Sequence, residues 1–96
     1  MNYTYLLECA DKTFYCGWTN DLEKRLHAHN RGTGSRYTRS RRPVELIWFL
    51  PAPSKEEAMH REARIKRLSR REKLLLLSGV PLDRLLSPPK KPRKKL

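Results

Sequence analysis

Cysteine is nearly absent from this 96-residue chain, which has two, Cys9 and Cys16. Two cannot staple a small fold, so both are read as reduced, half-buried thiols and no disulfide framework is expected. No Cys-x-x-Cys is present for His27, His29 or His60 to join, so a structural zinc site is not expected either. No apolar run approaches the roughly 18 residues of a membrane-spanning helix. The start, Met1-Asn2-Tyr3-Thr4-Tyr5, has neither the basic stretch nor the apolar stretch of a signal peptide, so the expected location is cytoplasmic. No internal repeat is visible. Acid is scarce as well: 10 Asp+Glu stand against 22 Lys+Arg, a formal net charge of +12. Such an excess points to a polyanionic partner, most often nucleic acid. A membrane surface is not expected, because no segment is both strongly apolar and basic in the way a surface-bound helix is.

What remains is enough for one thin core. Hydrophobic residues make up 38% of the chain, which excludes wholesale disorder and suits a single domain. The expected domain covers residues 1–86, followed by a flexible Pro/Lys-rich tail at 87–96. That tail holds Lys90, Lys91, Arg93, Lys94, Lys95 and no acid. It reads equally as a solubilising terminus or as a source of salt-sensitive affinity for nucleic acid. The body stays basic without it. Its charge gathers at Arg36, Arg39, Arg41 and Arg42, and again at Arg61, Arg64, Lys66, Arg67, Arg70 and Arg71.

Patterning predicts a strand over Tyr3–Cys9, a polar turn at 10–13 and a second strand over Phe14–Trp18. Thr19 or Asn20 is expected to cap a helix from Asp21 to Asn30, with Asp21 and Glu23 in its first turn. Residues 31–42 lack an apolar period and read as a loop closed by Pro43. Val44–Leu50 reads as a third strand, ended by Pro51 and Pro53. It is apolar on both faces, which predicts a central position. Ser54 with Glu57 and Ser69 with Glu72 fit capping boxes, opening helices to Leu68 and to Leu77. Gly79 and Pro81 stop the second of these, and Leu82–Leu86 can add one turn. The order strand, strand, helix, strand, helix, helix predicts an α+β fold: a small three-stranded antiparallel sheet flanked by helices.

Some polar residues fall beside apolar stripes. Arg25 lies three residues after Leu22, and His29 three after Leu26. On the later helix the apolar stripe is Ala58, Met59, Ile65 and Leu68, and Glu62 falls within it. An inward charge is costly unless it is paired or binds a cation. These residues read either as a site or as an internal Arg25–Glu62 ion pair. Tyr5 and Tyr15 lie on adjacent strands. They share a face if the hairpin loop has an odd number of residues or the pairing carries a bulge, and lie on opposite faces across a regular two-residue loop at Asp11-Lys12.

The same residues carry a family resemblance. Tyr5, then Tyr15-Cys16-Gly17, then Arg25 are evenly spaced, and the run from Tyr15 through Asn30 resembles the core of the GIY-YIG nuclease superfamily. Residues 2–78 resemble its small single-domain bacterial branch, the UPF0213 proteins. Gly32, Gly34, Tyr37-Thr38, Arg42-Pro43 and the segment Ser54-Lys55-Glu56-Glu57-Ala58 leading to Glu62 add to the match. The first motif reads Tyr3-Thr4-Tyr5 where the family name has Gly-Ile-Tyr, and Cys16 stands where isoleucine is common. Each motif keeps its tyrosine.

The resemblance implies a metal-dependent endonuclease that hydrolyses phosphodiester bonds in nucleic acid, with DNA as the expected substrate. Glu62 would hold a single Mg²⁺ or Mn²⁺, a hard cation suited to one carboxylate with water and phosphate oxygens. Arg25 would bind the scissile phosphate. Tyr5 would act as general base toward water, with Tyr15 donating or orienting, or the two roles exchanged. His29 would be a further phosphate or water contact. Gly17 would allow close backbone approach, and Arg36, Tyr37, Arg39, Arg41 and Arg42 would meet the nucleic-acid backbone. A protein partner or homodimer stays open. The alternative is a non-catalytic nucleic-acid-binding module on the same fold. A protein-interaction role for Trp18 or Trp48 is the weaker reading, since strand tryptophans usually pack in a core.

Overall fold

The run Thr4-Tyr5-Leu6-Leu7 is the most deeply buried stretch among the described residues, each residue 2% exposed or less, and it lies in the middle of the sheet. In the computed structural model, which describes residues 1–85, this run belongs to strand β1 (Asn2–Glu8). Strands β2 (Phe14–Thr19) and β3 (Glu45–Ala52) pair with it on either side, both antiparallel, in the order β2-β1-β3. Helix α1 (Leu22–Arg31) and the one-turn α2 (Arg36–Arg39) lie between β2 and β3, and α3 (Lys55–Ile65) follows β3. The chain divides into two compact units, Met1–Lys66 and a second beginning at Arg67. The second contains α4 (Arg70–Leu77) and α5 (Leu82–Leu85). The expected tail at 87–96 lies outside the described residues.

The α+β architecture and the order of elements are as the sequence predicts. Several details differ. β3 is an edge strand, not the central one. Its apolar residues are only partly covered: Leu46, Ile47, Trp48 and Leu50 are half-buried and Phe49 is 49% exposed. Alternation in β3 is obscured by a register shift where Leu6 pairs with Trp48 and Leu7 with Leu46. Pro51 does not end the strand but pairs opposite Tyr3. An edge position tolerates proline, whose missing N–H need not serve an outer neighbour. Asp21, not Thr19 or Asn20, caps α1, its carboxylate accepting from the Lys24 N–H. The stretch read as loop contains α2, because Ser35 accepts from the Thr38 N–H and closes one turn. A single turn is too short to show a period. α3 ends at Ile65, short of Leu68, and Met59 is 44% exposed, so it does not belong to the buried stripe. Ser54 caps α3 through the Glu57 N–H, while the Glu57 carboxylate pairs with Arg61 at 3.2 Å. The Ser69–Glu72 capping box is complete.

The hairpin places the tyrosines. Its last pair is Glu8 opposite Phe14, so the loop is residues 9–13, an odd number. Asp11 accepts from the Thr13 N–H and hydroxyl, and Lys12 takes φ 70, which together turn the chain. Tyr5 therefore faces Gly17, Leu7 faces Tyr15, and both tyrosines share one face of the sheet. On that face Leu22 and Leu26 of α1 pack with Tyr5, Leu7, Tyr15 and Leu46. On the other face Thr4 donates to the Ala58 carbonyl (2.8 Å) and Cys16 lies against the Glu62 carbonyl (3.9 Å), which docks α3 there. Cys9 and Cys16 are both buried and in no disulfide. No helix among the described residues is long and apolar enough to cross a membrane.

Candidate active site

Helix spacing turns Arg25 and His29 of α1 toward the tyrosine face. His29 is fully buried. Its Nε2 lies 2.9 Å from the Tyr5 hydroxyl and its Nδ1 lies 2.8 Å from Thr38 Oγ1. Burial, with a smaller effect from Arg25, lowers the His29 pKa from 6.5 to about 4. The ring is therefore neutral, with one nitrogen donating and one accepting. Tyr5 is 2% exposed, and burial pushes its phenol up to about 12, with the neighbouring Arg25 guanidinium opposing the rise. A protonated Tyr5 donates to Nε2, leaving Nδ1–H to donate to Thr38, a tautomer assigned from the network. Thr38 is held in turn by Ser35, whose Oγ is 3.0 Å away.

Tyr15 closes the site from β2. Its ring meets His29 edge-on at 5.1 Å and stacks on Tyr37 at 5.9 Å. Arg25 donates to the Gly34 carbonyl at 3.0 Å, while its Nε is buried with no hydrogen-bond partner in the structure. An unmet guanidinium donor is costly when buried and calls for an acceptor oxygen. Beside Arg25 a cleft of about 240 Å³ is lined by Thr19, Asn20, Asp21, Lys24 and Ala28. Lys24 and Arg25 outnumber the one carboxylate on its wall, Asp21, and the net positive charge suits an incoming phosphate.

Two glycines are needed by close approach. A Cβ on Gly17 would lie 2.6 Å from the Tyr5 hydroxyl oxygen. The group that closes on this backbone is thus Tyr5 itself. A Cβ on Gly34 would fall 2.7 Å from the His29 Cα and still closer to its ring.

Glu62 stands apart. Its carboxylate pairs with Lys66 at 2.9 Å, so the internal Arg25–Glu62 ion pair weighed from periodicity is not formed. The reason is geometric, since α3 and α1 cover opposite faces of the sheet. The Glu62 contact is what holds the Lys66 ammonium above its ordinary pKa, and Tyr15 adds to the effect. Lys66 therefore lies within electrostatic reach of Tyr15. Among the described residues no group of three or more His, Cys, Asp or Glu is placed to hold a metal. A cation here would take one carboxylate from the chain and keep its water, which fits Mg²⁺ or Mn²⁺ and does not fit a zinc centre. The carboxylate already holds one cation, the Lys66 ammonium.

The basic loop divides. Arg36 and Arg39 are exposed on α2. Arg41 is engaged internally: it pairs with Asp11 at 3.0 Å, donates to the Tyr37 carbonyl and covers the Tyr37 ring at 3.9 Å. Arg42 donates to the Arg39 carbonyl at 2.8 Å and to the Asn30 carbonyl at 3.4 Å. Reasoning from sequence missed Thr38, Ser35 and Lys66 as parts of the site. Two signals could have found them: Ser-x-x-Thr is an N-cap spacing, and Lys66 is four residues after Glu62.

Burial of neutral His29 has a measurable consequence. Below pH 6.5 the unfolded chain gains a proton that the folded chain refuses until about pH 4. Stability is therefore complete above pH 6.5 and falls on acidification, by on the order of 3 kcal/mol at pH 4. Thermal melts at neutral and acidic pH should show His29→Gln losing less stability than the parent. An equal loss in both would remove His29 as the cause.

Comparison with known proteins shows the family. The family model described as the GIY-YIG catalytic domain matches residues 1–74. A UPF0213 protein of Clostridium perfringens is 54% identical over 79 residues, covering 82% of this chain and 85% of its own length. One from Syntrophus aciditrophicus is 52% identical, covering 83% and 93%. The solution NMR structure of a UPF0213 protein from Bacillus halodurans matches with a TM-score of 0.53 at 48% identity, covering 81% of this chain and 84% of that one. A solution NMR structure of a protein from E. faecalis matches with a TM-score of 0.55 at 40% identity, covering 80% and 82%.

Proposed function

The chain belongs to the GIY-YIG family, and from that premise we propose that it is a metal-dependent endonuclease hydrolysing phosphodiester bonds in DNA. The observation that carries the reading is the meeting of Tyr5, Tyr15, Arg25 and His29 on one sheet face, with an unmet Arg25 donor among them. A pure binding module needs surface charge but not a buried phenol–imidazole–hydroxyl chain.

The roles follow from the surroundings of each group. Arg25 binds the scissile phosphate and offsets charge that grows on it in the transition state. Tyr5, in the fraction that is ionised, takes the proton of the attacking water and becomes the neutral phenol. With its pKa near 12 that fraction is small at neutral pH, and Arg25 is the neighbour that makes its ionisation easier. His29 holds the Tyr5 oxygen in place through Nε2, and Thr38 fixes the ring. Tyr15, less buried than Tyr5, orients water or phosphate from the β2 side. Glu62 would hold one Mg²⁺ or Mn²⁺, whose charge polarises the phosphate and stabilises the leaving oxygen. Exposed Arg36 and Arg39 approach the nucleic-acid backbone.

The test is a cleavage screen with single-stranded, duplex and branched DNA and with RNA, each with Mg²⁺, Mn²⁺ or EDTA. Glu62→Gln should abolish cutting and leave DNA binding within about threefold, since the amide keeps the shape of the side chain and loses the charge needed for a hard cation. No cutting of any substrate would sink the enzyme reading in favour of the binding module. Cutting that survives Glu62→Gln would sink the metal assignment alone.

A further inference from the structure

The face that carries Tyr5 and Tyr15 is not covered to its end. Phe49 sits directly opposite Tyr5 across the β1–β3 pair, and Pro51 sits opposite Tyr3, so all four share that face. The Tyr3 and Phe49 rings meet edge to face, with centroids 5.9 Å apart and planes at 76°. Phe49 is 49% exposed and is the one aromatic ring among the exposed large hydrophobics of the described residues. A single exposed hydrophobic residue is ordinary; what marks Phe49 is its place, across the strand pair from Tyr5 and braced by the Tyr3 ring.

We propose that Phe49, braced by Tyr3, stacks a base of single-stranded DNA whose phosphodiester lies at the Arg25–Tyr5 site. This proposal rests on the nuclease reading above and narrows its substrate. Directly paired strand residues have Cβ atoms about 5 Å apart, so Phe49 and Tyr5 leave the sheet within the span of one nucleotide. The ligand of a chain with net charge +12 is an anion. The anion whose repeating unit also offers a flat apolar face is a nucleic acid. In a duplex those faces are closed against one another, and an unpaired strand presents them. A protein partner fits less well. Two rings and a proline fall far short of the roughly 20–30 residues a side of a stable protein interface.

The experiment reads binding, not cutting. A fluorescein-labelled oligo-dT of about twelve nucleotides and a blunt duplex of equal length are titrated with the full chain in EDTA, by anisotropy. Phe49→Ala should weaken oligo-dT binding about tenfold or more and leave duplex binding within about twofold. Phe49→Trp should keep oligo-dT affinity, and its added emission should be quenched on binding. Phe49→Leu, which keeps an apolar side chain without a ring, should behave like Phe49→Ala. Equal affinity of Phe49→Ala and parent for oligo-dT overturns the proposal, as does an equal loss for both probes. A dimer in sedimentation that Phe49→Ala dissolves also overturns it, by assigning the patch to a second copy. Because no cleavage is read, these outcomes stand apart from success or failure of the Glu62→Gln test.

Discussion

Arg25→Ala should lower the cleavage rate by roughly 10²–10³-fold, the scale seen when one preorganised charge stabiliser is removed from a transition state. Two losses combine in this one change. The phosphate loses the guanidinium that meets its growing charge. Tyr5 loses the neighbour that opposes its burial, so its phenol rises further from the physiological range. Cleavage should rise with pH in both proteins, about tenfold per unit between pH 7 and 9, because that range lies well below the ionisation of the Tyr5 phenol. Single-turnover rates should trace two parallel lines, with Arg25→Ala the lower. A rate independent of pH would remove Tyr5 as the base. Arg25 also ties α1 to the Gly34 carbonyl, so a thermal melt must accompany the kinetics. Arg25→Lys serves as the second variant: it keeps a charge near the phosphate and loses the planar fork.

Gly34→Ala should be the most destabilising of the conservative changes near the site. The added methyl would meet the His29 Cα, a backbone atom of α1, at 2.7 Å. Backbone cannot swing aside as a side-chain tip can, so the loop must part from the helix. The expected cost is about 3 kcal/mol or more, a fall of about 12 °C or more in melting temperature for a domain of this size. Gly79→Ala is the contrast. It too is a glycine-to-alanine change, at φ +111 but with nothing within 4 Å of the new atom. It should cost only the backbone strain, about 1–2 kcal/mol. Melts of the two variants side by side separate collision from conformation. Similar losses would show that the Gly34 loop yields without resistance.

These contrasts bear on what a sequence can show. The short strands, the caps at Ser54 and Ser69 and the inward turn of His29 could be read because each depends on residues near one another in the chain. The position of β3 could not. Apolar residues on both faces of a strand indicate burial, and β3 keeps them at an edge, where Phe49 stays open and Pro51 is tolerated. Partners across the fold were equally hidden. Helix period turned both Arg25 and Glu62 inward, but inward means toward the sheet, and the sheet has two faces. One received α1 and the other α3, so Glu62 met Lys66 on its own helix's path and not Arg25. Thr38 carries no signal of its own in the sequence. Its role depends on α2, a single turn whose existence rests on one Ser35 hydroxyl.

The hairpin loop at residues 9–13 shows a different kind of dependence. It carries none of the proposed reacting groups. Yet its length alone decides that Tyr15 and Tyr5 emerge on the same side. Removing one residue from it would leave every residue of the site in place and turn Tyr15 to the opposite face. Descent within such a fold can therefore replace loop residues that keep the turn and the buried Cys9, but insertions or deletions there keep the face only in twos. The parity of a solvent-exposed turn is part of the inheritance of the catalytic centre.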